Sequence, residues 1–99
     1  MPVMDLEFRG DIWYWRGPAP WYFVTVPEPE CATLRSWSYA SYGWGMIPVV
    51  ARIGGTAWET SLWPKDGAYV VPVKAHVRSA EGLDEGVTVA VRLAVRDQG

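Results

Sequence analysis

Ninety-nine residues hold the chain to one domain, near the lower end of sizes that bury a self-sufficient core, with no length for two lobes and a cleft between them. An apolar fraction of 49% and a charged fraction of 20% are those of an ordinary soluble globular domain. The net charge of −2 comes from interspersed acids and bases, which removes any chain-wide electrostatic case for nucleic acid or an anionic membrane.

A single cysteine, Cys31, excludes an internal disulfide and suits a reducing compartment. The acidic start, M-P-V-M-D-L-E-F-R-G, does not read as a signal peptide, and no apolar run is long enough for a membrane helix. A cytoplasmic protein spanning residues 1–99 as one domain is expected. Seven Trp and five Tyr exceed what so small a chain needs. Either they fill the core efficiently or they line a pocket or partner surface.

Val3 to Arg9 alternates apolar and charged residues and predicts a half-buried strand; Gly10-Asp11 breaks it and Ile12 to Arg16 resumes it. Gly17-Pro18-Ala19-Pro20 predicts a turn, and Trp21 to Val26 a strand returning as a hairpin. Pro27-Glu28-Pro29-Glu30 shifts the period toward a helix from about Glu28 to Tyr39, with Cys31, Leu34 and Trp37 or Ser38 on its apolar face and Tyr42-Gly43-Trp44-Gly45 ending it.

Met46 to Ile53 reads as a strand, Gly54-Gly55 as a tight hairpin and Ala57 to Trp63 as its return. Pro64-Lys65-Asp66-Gly67 is a turn, and Ala68 to Val73 is apolar enough to be buried on both sides. Lys74 to Ala80 predicts a short helical turn stopped by Gly82. Val87, Val89, Val91, Leu93 and Val95 then alternate with polar or small residues, one face wet and one dry. Six or seven strands with one α-helix and one short helical turn predict a mainly-β fold, a small closed barrel that leaves no exposed edges.

One His, one Cys and scattered acids cannot make a closed zinc site, so no metal and no cofactor is expected. Ser61, His76 and Asp66 lack the surroundings of a nucleophile elbow, and Ile53-Gly54-Gly55-Thr56 lacks phosphate-loop spacing. An enzyme is not expected. What remains is a polar cluster within apolar strands. Thr56, Trp58 and Thr60 share one strand face, with Arg52 expected to reach it across the hairpin; Glu59 and Ser61 face the other way. Lys74 and Arg78 sit one helical turn apart. With Trp63 as a further apolar wall, Arg52, Thr56, Trp58, Thr60, Ser61, Trp63, Lys74 and Arg78 form a candidate ligand site for an anionic small molecule or peptide. The competing reading pairs these bases with Glu59 or Asp66 in an internal salt-bridge set.

The blocks I-G-G-T-A-W-E-T-S-L-W-P at Ile53 to Pro64 and G-A-Y-V-V-P-V-K-A-H-V-R at Gly67 to Arg78 resemble a bacterial and archaeal family, domain of unknown function nineteen-oh-five. W-R-G-P-A-P-W-Y-F-V-T-V-P at Trp15 to Pro27 and Gly43-Trp44-Gly45 extend the likeness over essentially the whole chain. The resemblance implies a double-split barrel of the AbrB and MazE swapped-hairpin type, with V-V-P-V-K at Val70 to Lys74 leading into its strand–helix–turn–strand unit; Glu85-Gly86 stands where the family usually has Gly-Asp. It brings no activity. Beside the binding module stands an alternative of another class, an AbrB-like dimeric DNA-binding regulator. That reading requires Arg9, Arg16, Arg92 and Arg96 to gather on one face, against the acidic net charge. A protein partner and a homodimer both stay open.

Overall fold

Each alternating stretch of the sequence forms a strand, and the strands wrap until the last pairs with the first. The computed structural model describes residues 2–17, 21–41 and 45–96. Strands β1 (Pro2–Trp15) and β2 (Trp21–Thr25) precede helix α1 (Glu28–Ser41). Strands β3 (Ile47–Ile53), β4 (Thr56–Lys65) and β5 (Ala68–Pro72) lead to helix α2 (Ala75–Glu81), and β6 (Thr88–Arg96) completes the series. The order β1-β2-β5-β4-β3-β6 closes on itself with every pairing antiparallel. This is the mainly-β closed barrel expected, with six strands and two short helices among the described residues.

Two long strands make the corners. Residues 2–11 of β1 pair with β6 and residues 12–15 with β2; residues 56–62 of β4 pair with β3 and residues 63–65 with β5. A strand that changes partner along its length lets two half-sheets meet at an angle. Gly10 does not break β1, as the sequence suggested, but lies just before the change of partner. A Cβ there would come within 2.9 Å of a Val24 methyl and 3.4 Å of the Thr25 carbonyl oxygen. Gly is used because the Val24 side chain of β2 leaves no room for a Cβ.

The inward faces carry Phe8 and Ile12 of β1, Val24 of β2, Ile47, Val49, Ala51 and Ile53 of β3, Trp58 and Leu62 of β4, and Val89, Val91, Leu93 and Val95 of β6, all buried. In β5 both faces are buried from Tyr69 to Pro72, as its unbroken apolar run predicts. Val87 falls outside the dry face: it lies in the loop before β6, exposed, with its carbonyl accepting from the N–H of Ile12.

Helix α1 places Cys31 and Leu34 against the barrel, where Cys31 Sγ donates to the Val26 carbonyl at 3.1 Å and accepts the N–H of Tyr69 at 3.4 Å. Burial pushes the Cys31 thiol up, an effect partly offset by the N–H of Tyr69. The group is a packed thiol rather than a nucleophile. The expected helix stop at Tyr42-Gly43-Trp44, the side chains of Trp37 and Ser38, and most of the Gly17–Pro20 turn lie outside the described residues.

At the other end of β5, α2 buries Val77 and stops at Gly82 in the left-handed region (φ 64°). Lys74 is not helical: it is the extended residue capping α2. The turn between β4 and β5 is also tighter than expected. Strand β4 continues through Pro64 and Lys65, and Asp66 and Gly67, both at positive φ (52° and 81°), form a two-residue turn of the kind that matches strand twist.

Candidate binding site at the barrel mouth

The end of β5 sets the site. The N–H of Val73 donates to the carbonyl of Tyr22 at 2.9 Å, carrying the β2–β5 pairing one step past the strand. Lys74 then turns the chain into α2, and one helical turn later Arg78 comes back over Tyr22. Its guanidinium carbon stands 3.8 Å from the Tyr22 ring centroid, and Nη1 donates to the Val73 carbonyl at 3.0 Å. Tyr22 in turn packs on Tyr14, its cross-strand neighbour, at 4.9 Å, and Arg16 lies 5.6 Å from the Tyr14 ring. Lys74 Nζ donates to the backbone carbonyl of Glu59 at 2.9 Å.

Between these groups opens a hollow of about 400 Å³ lined by Tyr14, Trp21, Tyr22, Val73, Lys74, Ala75 and Arg78. Trp21 and Lys74 also border a neighbouring hollow of about 400 Å³, whose wall includes Thr60, Ser61 and Trp63. The structure therefore brings together five of the eight expected residues, Thr60, Ser61, Trp63, Lys74 and Arg78, along one continuous groove. Tyr14, Trp21 and Tyr22 complete it and were missed. Their signal was the aromatic cluster W-Y-W at Trp13 to Trp15 facing W-Y-F at Trp21 to Phe23, which reads equally well as core until the register is known.

The other three residues have separate duties. With Gly54-Gly55 as a two-residue turn, Ile53 pairs with Thr56 and Arg52 with Ala57. Arg52 is thus on the outer wall, next to Arg92, while Thr56, Trp58 and Thr60 take the inner face. Trp58 is buried in the core, with Nε1 donating to the Pro72 carbonyl at 3.1 Å, so its ring is no ligand wall. Thr56 Oγ1 donates to Glu81 Oε2 at 2.6 Å, which ties the β3–β4 hairpin to the end of α2.

The salt-bridge alternative also takes a different form. The carboxylate of Asp66 pairs with Lys65 at 3.6 Å, and Glu59 offers Lys74 its backbone carbonyl. Among the described residues neither Lys74 nor Arg78 forms an ion pair. Two cations held by carbonyl oxygens, Arg78 also lying over the Tyr22 ring, keep their charge without an acidic partner. An anion is the natural complement, since Arg offers a planar fork of donors of which one is already used.

The regulator reading needs a basic face. Arg9 and Arg92 do lie on the outer wall of β1 and β6, but Asp5, Glu7 and Asp11 alternate with them there, and Glu7 pairs with Arg92 at 3.4 Å. Arg16 lies at the barrel mouth, and the side chain of Arg96 is outside the described residues. No helix among the described residues is long and apolar enough to cross a membrane.

The chain belongs to the family described as Domain of unknown function (DUF1905), whose profile matches residues 8–93. No curated protein matches the chain.

Proposed function

We propose that this protein is a non-enzymatic binding module that takes a small anionic ligand, or an anionic group of a peptide, at the barrel mouth. Lys74 and Arg78 orient the anion, Tyr14, Trp21 and Tyr22 give it an apolar floor, and Ser61 supplies a hydroxyl farther along the groove. The observation that carries this reading is the pair Lys74 and Arg78, free of ion pairs among the described residues and bordering one aromatic hollow. A site of a few convergent polar groups on an apolar wall is the usual form of a ligand pocket.

Phenyl phosphate, an aromatic ring with one anionic group, serves as the probe. Titration calorimetry is expected to show saturable binding that Arg78→Ala weakens at least about tenfold, because a charge-assisted fork is lost. Arg78→Lys is expected to restore only part of it, since an ammonium keeps the charge but not the planar geometry. Arg52→Ala, on the outer wall, should leave binding unchanged. Equal affinity in the wild type and Arg78→Ala, with both folded, would sink the assignment.

A further inference from the structure

Most of the described tryptophans are not in the barrel core. Trp13 and Trp15 of β1, Trp21 of β2 and Trp63 of β4 alternate outward and stay partly exposed, around a Phe23 that is fully buried on the outer wall. Phe23 lies 5.2 Å from Trp13, 5.2 Å from Trp63 and 6.3 Å from both Trp15 and Trp21 by ring centroid. Trp13 is fixed by a 2.9 Å hydrogen bond from Nε1 to Thr25 Oγ1. Burying one Phe does not require four indoles left partly open to water.

Trp63 divides this wall into two hollows of the same make. On one side, Trp15 and Trp63 face a hollow of about 200 Å³ with Lys65 at its edge; on the other, Trp21 and Trp63 face the hollow of about 400 Å³ with Lys74 at its edge. Lys65 Nζ is 5.5 Å from the Trp15 ring, and its pairing with the well-exposed Asp66 is a surface ion pair of little strength. Trp21 meets Trp63 edge-on with ring centroids 4.9 Å apart, so the wall offers indole faces rather than a slot. An indole face with one lysine beside it, repeated on either side of Trp63, matches a ligand of flat rings joined by anionic links.

We propose that this outer wall is a stacking surface for single-stranded nucleic acid, with Trp15, Trp21 and Trp63 taking successive bases and Lys65 and Lys74 the flanking phosphates. Aromatic side chains stack on any unpaired base, and basic residues beside them track the backbone. A duplex keeps its ring faces inside the stack and cannot use the wall in this way. Of the eleven acids, Asp5, Glu7 and Asp11 lie on the far wall. At the surface itself Glu59 borders the hollow of Trp21 and Trp63 and Asp66 adjoins Lys65, so the two lysines act against nearby carboxylates and binding is expected to be modest and salt-sensitive.

Fluorescence anisotropy with a labelled oligothymidylate about twelve nucleotides long tests the proposal, long enough to cover a site of ordinary size. The expected result is saturable binding with quenched tryptophan emission. The log–log salt slope is expected near about −1.4, for Lys65 and Lys74 at roughly 0.7 per phosphate. Trp63→Leu and Trp15→Leu should weaken binding about tenfold, and Lys65→Gln about threefold at low salt. Arg92→Gln on the far wall should change nothing, and Lys65→Gln should leave phenyl phosphate binding at the mouth unaltered, which separates this surface from the anion site. No saturable binding at low salt overturns the proposal, as does equal competition by a duplex or by polyglutamate. If the leucine variants fail to fold, Lys65→Gln, a surface change, decides: unaltered affinity also overturns it.

Discussion

Thr56 shows how a residue that looks like a ligand contact can be a structural latch. Its hydroxyl reaches the carboxylate of Glu81 across the gap between the β3–β4 hairpin and α2. A partly buried hydrogen bond to a charged acceptor is worth more than a neutral one. Thr56→Val is therefore expected to cost about 1–2 kcal/mol, read as a lower urea midpoint at unchanged slope, and to leave anion binding intact. A variant as stable as the wild type would show the latch to be slack. Cys31 is the second such residue. Its thiol is raised by burial in the folded state, so the unfolded thiol ionises first as pH rises. The stability it contributes is complete below the unfolded value of about 8.5 and is lost as pH climbs through the folded value. The urea midpoint should therefore decline as pH rises above about 8.5, and Cys31→Ala should flatten that decline.

At the scale of elements, the turns and the corners decide register. Asp66 and Gly67 both take positive φ, and a Cβ at Gly67 would meet nothing within 4 Å. The cost of Gly67→Ala is thus purely conformational, about 1 kcal/mol, seen as a lower thermal midpoint. Gly10→Ala is destabilising for the opposite reason: its backbone is ordinary, but the new methyl strikes Val24 where β1 and β2 approach. Compensation by Val24→Ala in the double variant, beyond the sum of the single changes, would identify that contact as the cause.

At the scale of the whole molecule, closure within one chain is the main fact. The pairing of β6 with both β1 and β3 shuts the barrel without a strand from a second copy. Folding should not depend on a partner, and the unfolding midpoint is expected to stay constant over a hundredfold range of protein concentration, about 1–100 μM. A midpoint that rises with concentration would show coupled assembly instead. Closure also gives the molecule two walls of different character. The β1–β6–β3 wall mixes acids and bases at Asp5, Glu7, Arg52 and Arg92, while the β1–β2–β5–β4 wall is aromatic with lysines at its edges.

Much of this was legible in the residues themselves. Alternation in Val89 to Val95 fixed one wet and one dry face, and the buried run at Tyr69 to Val71 marked a strand covered on both sides. Lys74 and Arg78 could be placed on one face because helical spacing is local, and Ser61 opposite Thr60 because strand parity is local. Arg52 was misplaced although the information was present: a two-residue Gly-Gly turn sets Arg52 against Ala57, and one step of register exchanges inner for outer. Composition alone did determine a small chain rich in aromatics, and periodicity alone gave its β character. Only the tertiary structure decided that Trp58 goes inside while Trp13, Trp15, Trp21 and Trp63 stay on the wall. Only it could set Arg78 on Tyr22, from a strand some fifty residues earlier, because such pairings are chosen by barrel closure among partners the sequence holds far apart.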